Sequence, residues 1–549
     1  MKLRYILLSA LCLLAAGQAE AQCVVKGTFS AATGMGETAP YEGDVKLDVH
    51  MNNALIQPYV SIKGISHSSS EQLDDRTYIY SKSGNKYTSS SDMKSSGFDL
   101  KYGVSILFPI RNEGMFKASF DANNLRKKTT GTWQEKLLQT DGTVLSDYLW
   151  NVNMPRQNSD GFSAGASYSL GKLRLDYKFT HALQREGLDM ECDGGFGGHG
   201  FNLYHRTTET TTNSHRATAS YDISLGKHQT LTAGLSYLND EAEREHVQQM
   251  GTADKETPAF SHSIQTASAS LAYKYGSRWL RAMARMEYSY THMANDAAKK
   301  NLNDVIPQVH LEWSMSSKDV LVADYRMIVK RPDIELLDPT KLYASHSEDY
   351  GNPNLEGIHI NNFSLAYRTA FGRMNFSTTA GFILVEDGFN AIWMEKDNIR
   401  LNTWGNEGVR RAVSITPQLK WTSDKGTSVT TRATLLWDKR IARAIHMEKE
   451  HWGITAELGL NQTLPCDMKL SVNGRYSKGN TIDLYSHETT SLKAGASLTK
   501  LLCKRHKLTL AYDYNQNAKA IITQGAYTGS VYTRPDARNT VRLSAVFAL

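Results

Sequence analysis

Two polar stretches of the chain carry the residue types that most often do chemistry. The first is the glycine-rich run Gly194 to Gly200, with Asp193, His205 and Cys192 beside it. Carboxylate, imidazole and thiolate groups are common metal ligands. Their spacing matches no diagnostic ligand pattern, and no strand-to-helix context marks a phosphate-binding loop. A solvated loop tip is therefore the favoured interpretation.

The second stretch, Ser345-His346-Ser347-Glu348-Asp349, contains the residue types of a hydrolase triad. A triad is defined by geometry, and adjacency along the chain does not create it. The other histidines, such as His292 and His359, are scattered and are expected to be solvated. We therefore predict no catalytic, cofactor-binding or metal-binding residue, and we do not expect an enzyme.

The cysteines are too few for a disulfide framework, and none forms a CxxC motif. Cys466 and Cys503 fall in short turns on the same side of the predicted sheet, one hairpin apart. At ~4.8 Å per strand these turns lie about 10 Å apart, beyond the usual Cα limit of ~7 Å for a disulfide. A bridge between them is conceivable but disfavoured, and Cys23 and Cys192 are expected at opposite ends of the predicted strands, where they cannot pair.

The first residues resemble an export signal. Lys2 and Arg4 precede an apolar run, Ile6–Ala16, and Ala19-Glu20-Ala21 gives a small-x-small cleavage pattern. This pattern predicts a signal peptide over residues 1–21 and a mature chain over residues 22–549.

Composition excludes several classes of protein. The 549 residues contain 62 Lys and Arg against 56 Asp and Glu, a net charge of +6, with no basic stripe, so a nucleic-acid partner is not expected. No second apolar stretch of about 20 residues follows the leader, which argues against a helical membrane protein.

Alternating apolar and polar residues dominate the chain after residue 24. A clear run is Phe98, Leu100, Tyr102, Val104, Ile106 and Phe108, and another is Phe162 to Leu170, which turns at Gly171-Lys172 and resumes at Leu173. Alternation with period two predicts β-strands, and a glycine-containing pair between two such runs predicts a tight hairpin. About 22 such runs are present.

The connections between these runs alternate in length, which favours a transmembrane barrel over a soluble sandwich. Short turns lie near 171–172, 226–228 and 276–277 among others. Long polar connections are predicted near 67–96, 124–159, 184–214, 240–262, 330–359, 387–410, 439–451, 479–489 and 517–539. Outer-membrane barrels have short periplasmic turns, long extracellular loops and strands of about 10 residues.

Tryptophans sit where two interfacial girdles are expected. Trp437 and Trp452 flank one long connection, whereas Trp279, Trp313 and Trp421 lie beside short turns. The sequence thus predicts an all-β transmembrane antiparallel barrel of about 22 strands, with outer-membrane lipid around it. Inward residues such as Asp99, Lys101, Asp176 and Lys178 are expected to line a polar lumen.

Two blocks resemble a known family. They are Lys330-Arg331-Pro332 with Leu337-Asp338-Pro339 and Tyr350–Glu356, and then Ile383–Asp387 with Trp404–Gly408. Together they are similar to the barrel of TonB-dependent receptors, and most to the outer-membrane β-barrel family of Bacteroidetes-type bacteria. The resemblance implies a 22-stranded barrel in the cell outer membrane of a Gram-negative, Bacteroidetes-like bacterium, with a role in solute or nutrient uptake.

One departure from this family bears on function. Family members normally carry a plug domain before the barrel, but here strands are predicted soon after Gln22, so a plug is expected to be missing. Three arrangements remain open: outer loops that fold inward, a separate plug or a periplasmic or surface lipoprotein as partner, and a barrel with little activity. Three functions are consistent with the sequence: a barrel for the uptake of an unknown small ligand, a structural or partner-associated barrel, and a passive large-solute porin.

Overall fold

The computed structural model describes residues 23–548 except 36–40, 52–53, 68–73, 81–82, 111–113, 193–202, 252, 345–346, 397–398, 480–485, 488–489, 504, 518–519, 525–526 and 534–536. The predicted signal peptide, the tip Asp193–Gly200 and the pair Ser345-His346 lie outside the described residues. The first half of the wall consists of β1 (Cys23–Met35), β2 (Tyr41–Met51), β3 (Ala54–His67), β5 (Lys86–Ile110), β6 (Gly114–Leu138), β7 (Val144–Leu170), β8 (Leu173–Cys192), β9 (Leu203–Gly226), β10 (Gln229–Met250), β11 (Ala253–Gly276) and β12 (Leu280–Asn295).

The second half of the wall consists of β13 (Lys299–Ser314), β14 (Val320–Lys330), β17 (Ile358–Phe371), β18 (Met374–Lys396), β19 (Ile399–Thr422), β20 (Ser428–Ala442), β21 (Met447–Leu464), β22 (Met468–Lys478), β24 (Thr490–Leu502), β25 (His506–Asn517) and β28 (Ala537–Ala548). Each wall strand pairs antiparallel with its neighbours, and β28 pairs back onto β1, where Ala31 lies opposite Ala545. The described strands therefore form a closed barrel of 22 strands, which confirms the predicted fold class.

Six short strands in the described part of the chain lie outside the wall, with one helical turn. These are β4 (Asp74–Tyr80), β15 (Leu342–Ala344), β16 (Ser347–Asp349), β23 (Ser486–His487), β26 (Ala520–Gln524), β27 (Tyr527–Thr533) and α1 (Ile334–Leu337). β4 pairs with the outer end of β5 on one side and with β27 on the other. β27 pairs in turn with β26, and β26 with β23. No helix in the described ranges combines the length and apolar character needed to cross a bilayer.

The two faces of the wall differ as period-two alternation requires. Along β10, Ala233, Leu235 and Tyr237 are exposed on the outside, and Leu235 is 64% exposed. Between them, Ser236 turns inward, and its hydroxyl lies 2.7 Å from that of Ser268 on β11. Exposed apolar side chains on the outside and hydrogen-bonded polar ones on the inside are the pattern of a barrel in lipid.

The wall is uneven in height, and β18 and β19, with 23 and 24 residues, are long strands outside the longest run. Strands β5–β11, here called the tall wall, have 20–27 residues each, whereas β1–β3, β22, β24, β25 and β28, the low rim, have 11–14. A tilted strand needs about 9–11 residues to cross the hydrocarbon layer. The predicted long connections at 124–159, 184–214 and 240–262 are therefore largely hydrogen-bonded hairpin, because strand pairing continues outside the membrane.

Tryptophans occupy both ends of the apolar band, as the sequence predicts. Trp437 and Trp452 are paired across β20 and β21 near their outer hairpin, and Trp452 is 70% exposed. Trp279 and Trp313 are exposed near the short turns at the other end. An indole at these levels has an apolar ring for the lipid and an N–H for the interface.

Candidate functional site

The connection from β14 to β17 turns into the outer mouth of the barrel. This connection, residues 331–357, is called the mouth segment below. Leu337 and Leu355 are 0% and 1% exposed, and they pack with Ile334 against Phe260 on the inner side of β11. Each buried Leu or Phe contributes roughly 1.5–3 kcal/mol. The mouth segment is therefore held by a small apolar core of its own.

Gly351 allows the mouth segment to fold back on itself. Its N–H donates to the carbonyl of Asp338 over 2.7 Å, and a Cβ at this position would lie 2.6 Å from both N and O of Asp338. The neighbouring Asn352 N–H donates to the carbonyl of Leu336, also over 2.7 Å. Because backbone atoms cannot yield as a flexible side chain does, this close approach requires glycine.

A buried histidine that is hydrogen-bonded to a carboxylate ties the mouth segment to the tall wall. His246 Nε2 on β10 donates to Asp338 Oδ2 over 2.7 Å, and the Thr208 hydroxyl of β9 lies 3.0 Å from Nδ1. Burial raises the pKa of Asp338, but hydrogen bonds from His246 and the Thr340 backbone amide outweigh burial and hold the pKa below its ordinary value. The carboxylate therefore stays ionised as a firm acceptor.

A second anchor joins the ends of the mouth segment to β12 and β13. Asp304 is 6% exposed; it accepts hydrogen bonds from Arg331 and, over 2.7 Å, from His359 Nε2. Lys300 pairs with Glu356 at 3.0 Å. His359 was expected to be solvated from the sequence, but it has this buried carboxylate as a partner.

The far side of the mouth segment adds a strand to the wall. β16 pairs parallel with β19, and Asp349 lies opposite Asn402. Asn402 Nδ2 also donates to the Asp349 carboxylate. At residues 400–402 the other side of β19 is paired with β18, so β16 covers what would be an open edge.

An apolar cluster lines the inner face of the tall wall near its top. Trp150 and Tyr204 are 0% exposed and pack with Met190 and Cys192, and Tyr343 of the mouth segment touches this cluster. The carboxylate of Glu135, also 0% exposed, accepts from Trp150 Nε1 and from a tyrosine hydroxyl.

A cavity of about 420 Å³ lies between the mouth segment and the wall. Arg244 of β10 contributes on one side, Trp393, Asn402 and Trp404 of β18 and β19 on the other, and Tyr350 comes from the mouth segment. This volume falls within the range of small-molecule sites in proteins.

Deeper in the barrel, charged inward residues pair with one another. Lys101 lies 3.2 Å from Asp99, and Asp176 accepts hydrogen bonds from Ser167 and Thr218. On β12, Arg285 contacts Glu287 at 2.5 Å. The inner wall is therefore polar, in agreement with the sequence prediction, and much of its charge is internally compensated.

Two of the residues considered for metal binding, Cys192 and His205, lie on opposite faces of the barrel wall. Cys192 is buried in the inner apolar cluster, whereas His205 hydrogen-bonds Asp189 on the partly exposed face. Throughout the described ranges, no three His, Cys, Asp or Glu side chains are grouped so that they could hold a metal ion.

The described part of the triad-like stretch has structural partners. Glu348 pairs with Lys341 at 2.8 Å, and Asp349 binds Asn402. His292, a further scattered histidine, contacts Asn301 at 2.7 Å within the β12–β13 hairpin. Cys466 and Cys503 are both exposed and free.

Sequence reasoning singled out the mouth segment by its motif but not its contacts. Asp338 and His246 are 92 residues apart, and no local pattern relates them. A weak signal was available in β10: His246 and Gln248 continue the inward-facing register of the strand beyond the membrane, where a buried polar residue needs a partner.

The fold is shared with solved outer-membrane receptors. The ferric enterobactin receptor of Pseudomonas aeruginosa aligns with a TM-score of 0.64 at 12% identity, covering 96% of this chain and 81% of that chain. Copper transporter OprC gives a TM-score of 0.65 at 10% identity over 96% and 80%. The ferric yersiniabactin uptake receptor FyuA of Yersinia pestis gives 0.60 at 10% identity over 96% and 80%.

No curated protein sequence shows significant similarity to the chain. Residues 171–547, from the turn after β7 to the last strand, match the outer membrane protein beta-barrel family. This match covers more than half of the chain, and the closed barrel of 22 described strands agrees with it. The protein therefore belongs to the outer membrane protein beta-barrel family.

Proposed function

We propose that this protein takes part in solute uptake across the outer membrane of a Bacteroidetes-like bacterium, as the pore half of a receptor and not as an enzyme. The mouth segment is the observation that supports this proposal most directly. It folds into the outer opening, is fixed near its two ends through Arg331 and Glu356, and leaves a cavity of about 420 Å³ beside the lumen. A ligand site placed at the entrance of a pore is what a receptor for import needs.

The barrel neighbours support the same reading. The neighbours are receptors for ferric enterobactin and ferric yersiniabactin and a copper transporter, and they share this barrel at 10–12% identity. A separate plug or a periplasmic or surface lipoprotein is proposed as the partner that closes the remaining lumen and couples the barrel to import.

The test combines conductance with growth. In planar bilayers the wild-type barrel should show little steady conductance because the mouth segment narrows the opening. Gly351→Ala, which places a Cβ 2.6 Å from the Asp338 backbone, should release the segment and raise the conductance. Gly474→Ala on β22 is the matched control, because its added Cβ has nothing within 4 Å.

The companion measurement is growth of a deletion strain on single limiting nutrients. Loss of growth on one nutrient, restored by the wild-type gene, supports uptake. A large steady conductance of the wild type would instead favour a passive porin. A silent barrel whose deletion affects growth on no nutrient would favour a structural or partner-associated barrel.

A further inference from the structure

The low part of the wall carries cations at adjacent positions of the strand ladder. Lys493 of β24 lies directly opposite Arg475 of β22. Glu457 of β21 lies opposite Arg475 on one side and opposite Arg432 of β20 on the other. Directly opposed residues of neighbouring strands project from the same face of a sheet. These four charged side chains therefore share one face of the barrel.

That face is the lumen. The next residues along the strands, Leu458 and Leu492, are exposed apolar side chains of the outer surface, so the charges alternate to the inside. The side chains of Arg432 and Arg475 are 50% and 53% exposed, and Lys493 is exposed as well. A solute in the lumen can therefore touch all three cations.

The cations continue toward the periplasmic opening. Lys420 of β19 lies opposite Thr430, which makes it the diagonal neighbour of Arg432. Two strands further on, Arg368 of β17 is also exposed, and both residues lie within three positions of the short-turn ends of their strands. Successive Cα atoms are about 5–12 Å apart at the ordinary strand spacing and rise. We call this set the cationic series: Arg368, Lys420, Arg432, Arg475 and Lys493.

The charge of the cationic series is poorly compensated. Five cations accompany one carboxylate, Glu457, which leaves a net charge of +4. Glu457 is shared, because it lies 3.5 Å from Arg475 and 3.9 Å from Arg432. Within the described ranges, the other three cations of the series have no carboxylate at ion-pair distance.

Other cations of the lumen are paired one to one, as Lys101 is with Asp99 at 3.2 Å. Like charges that lie directly opposite each other destabilise a sheet, and Lys493 opposite Arg475 is such a pair. An anion held between these two side chains would convert the repulsion into two attractions. The sign of the field thus selects the ligand, because a cation would be repelled and a neutral solute would gain nothing.

The shape of the cationic series indicates a small solute. Thr434, Thr455, Ser477 and Ser491 form the neighbouring inward row, and all four are neutral. The series is therefore one residue wide, whereas the acidic face of a protein partner would call for a broad patch. Walls of low dielectric focus such a field into the lumen, and steps close to the Debye length of ~8 Å let neighbouring cations act on the same anion.

We propose that the cationic series binds small anions with two or more carboxylate or phosphate groups, and that the solutes taken up by this barrel belong to that class. The strongest contacts are expected at Arg475 and Lys493, which can hold two anionic groups of one molecule. The proposal rests on the uptake function above, because it names the chemical class of the solute. A row of weak sites also permits a solute to leave again, as passage through a pore requires.

Phosphorus NMR of pyrophosphate with the full chain tests the proposal. The barrel is kept in an uncharged detergent without phosphate, in a buffer of about 20 mM salt. We expect the pyrophosphate line to broaden on addition of the barrel and to sharpen again when citrate competes. Sucrose and choline, as neutral and cationic comparisons, should not compete. Salt at about 500 mM should abolish the broadening, since exposed charges are then screened.

Variants of opposite sign locate the binding. Arg475→Gln and Lys493→Gln should each weaken pyrophosphate binding about threefold, and the double variant about tenfold, as expected for exposed ion pairs. Glu457→Gln removes the carboxylate of the series and should strengthen binding about threefold. Lys101→Gln, the same exchange at a paired lumen lysine, is the control and should bind as the wild type does. Retention of the folded barrel is checked by its faster migration in unheated gels.

Several results would overturn the assignment. These are an unbroadened pyrophosphate line, weaker binding by Glu457→Gln, or an equal loss in Lys101→Gln and Lys493→Gln. Binding of poly-glutamate without binding of pyrophosphate or citrate would assign the series to an acidic protein partner instead.

The outcomes also separate this proposal from the uptake function. A growth defect of the deletion strain on a neutral or cationic nutrient, with no binding of pyrophosphate, would leave uptake standing without the anion site. Binding of pyrophosphate that responds to the variants as expected, with no growth defect on any nutrient, would leave the anion site standing and refute uptake.

Discussion

Buried carboxylates at the top of the barrel are each matched by specific donors. Glu135 lies between the hydroxyl of Tyr87 at 2.6 Å and the indole N–H of Trp150 at 2.5 Å, and all of its surface is covered. A buried charge is tolerated only when such donors are in place, and removal of one partner costs more than the bond itself was worth. This cluster therefore fixes the conformation of the tall wall.

We expect Trp150→Phe to lower the free energy of unfolding by about 1–3 kcal/mol, because the Glu135 carboxylate loses its indole donor while staying buried. The measurement is a guanidinium titration of the barrel in lipid vesicles. Trp452→Phe is the control; it is 70% exposed on the outer surface and should change stability by less than about 0.5 kcal/mol. Equal decreases in the free energy of unfolding of the two variants would contradict a stabilising hydrogen bond between Trp150 and Glu135.

The hydrogen bond between Asp338 and His246 predicts that the stability of the mouth segment depends on pH. The pKa of Asp338 in the folded protein lies below its ordinary value, so its contribution is complete above the unfolded pKa of about 3.9 and disappears as pH falls through the lower folded value. Hydrogen exchange of the amides at 334–340 should thus stay slow above about pH 4 and accelerate below it, after correction for intrinsic rates.

Two variants distinguish the contribution of the Asp338 hydrogen bond from that of the other carboxylates that are protonated in acid. Asp338→Asn should exchange faster at neutral pH and lose the acid transition at 334–340. Glu335→Gln removes an exposed carboxylate of the same segment and should retain both the slow exchange at neutral pH and the acid transition. An unchanged transition in Asp338→Asn would mean that another group controls the segment.

At the scale of the strand, the outside and the inside of the wall obey different rules. Leu235 on β10 faces out between Ala219 and Ala269, whereas the hydroxyl of Ser236 faces in and lies 2.7 Å from that of Ser268. Adjacent residues of one strand therefore meet lipid and water respectively, and this contrast is the physical basis of the alternation seen in the sequence.

Substitution of Leu235 and of Ser236 by arginine tests which of the two side chains faces the lipid. Leu235→Arg should destabilise the barrel by about 2–4 kcal/mol, the penalty for a charge on the lipid face near the bilayer midplane. Ser236→Arg should cost less than about 1 kcal/mol, because the lumen is hydrated. The readout is the free energy of unfolding in vesicles, and a reversed order of the two variants would invert the faces of the wall.

The sequence predicted the strands well because lipid imposes a period-two pattern. It predicted the upper hairpins less well, because β7 beyond the membrane has apolar residues on both faces. Trp150 and Val152 face inward and Leu145 and Leu149 are exposed, so the period-two contrast disappears. The mouth segment shows the same limit. Its glycine and leucine pattern was visible, but Leu337 meets Phe260 only through the closed sheet, and no local rule specifies that contact.

At the scale of the whole molecule, closure depends on one seam between the first and last strands. Ala31 of β1 faces Ala545 of β28 directly. Opposed residues in antiparallel strands have Cα atoms roughly 4.5–5.5 Å apart, which suits a disulfide. Ala31→Cys with Ala545→Cys should therefore cross-link within the chain in a background where Cys466 and Cys503 are replaced by serine.

The cross-link is read as a shift in migration after heating without reductant. The offset pair Ala31→Cys with Ser544→Cys is the control, since the second side chain points to the opposite face. Efficient cross-linking of the offset pair, or none of the direct pair, would place the seam in another register.

The unequal height of the wall has one further consequence. The connections of the low rim are tied to the tall wall outside the bilayer, because β23, β26 and β27 pair with one another and with β4 beside β5. The hairpin tip at 139–143 joins two of the longest strands, with 25 and 27 residues, and is therefore the part that an antibody added to whole cells should meet first.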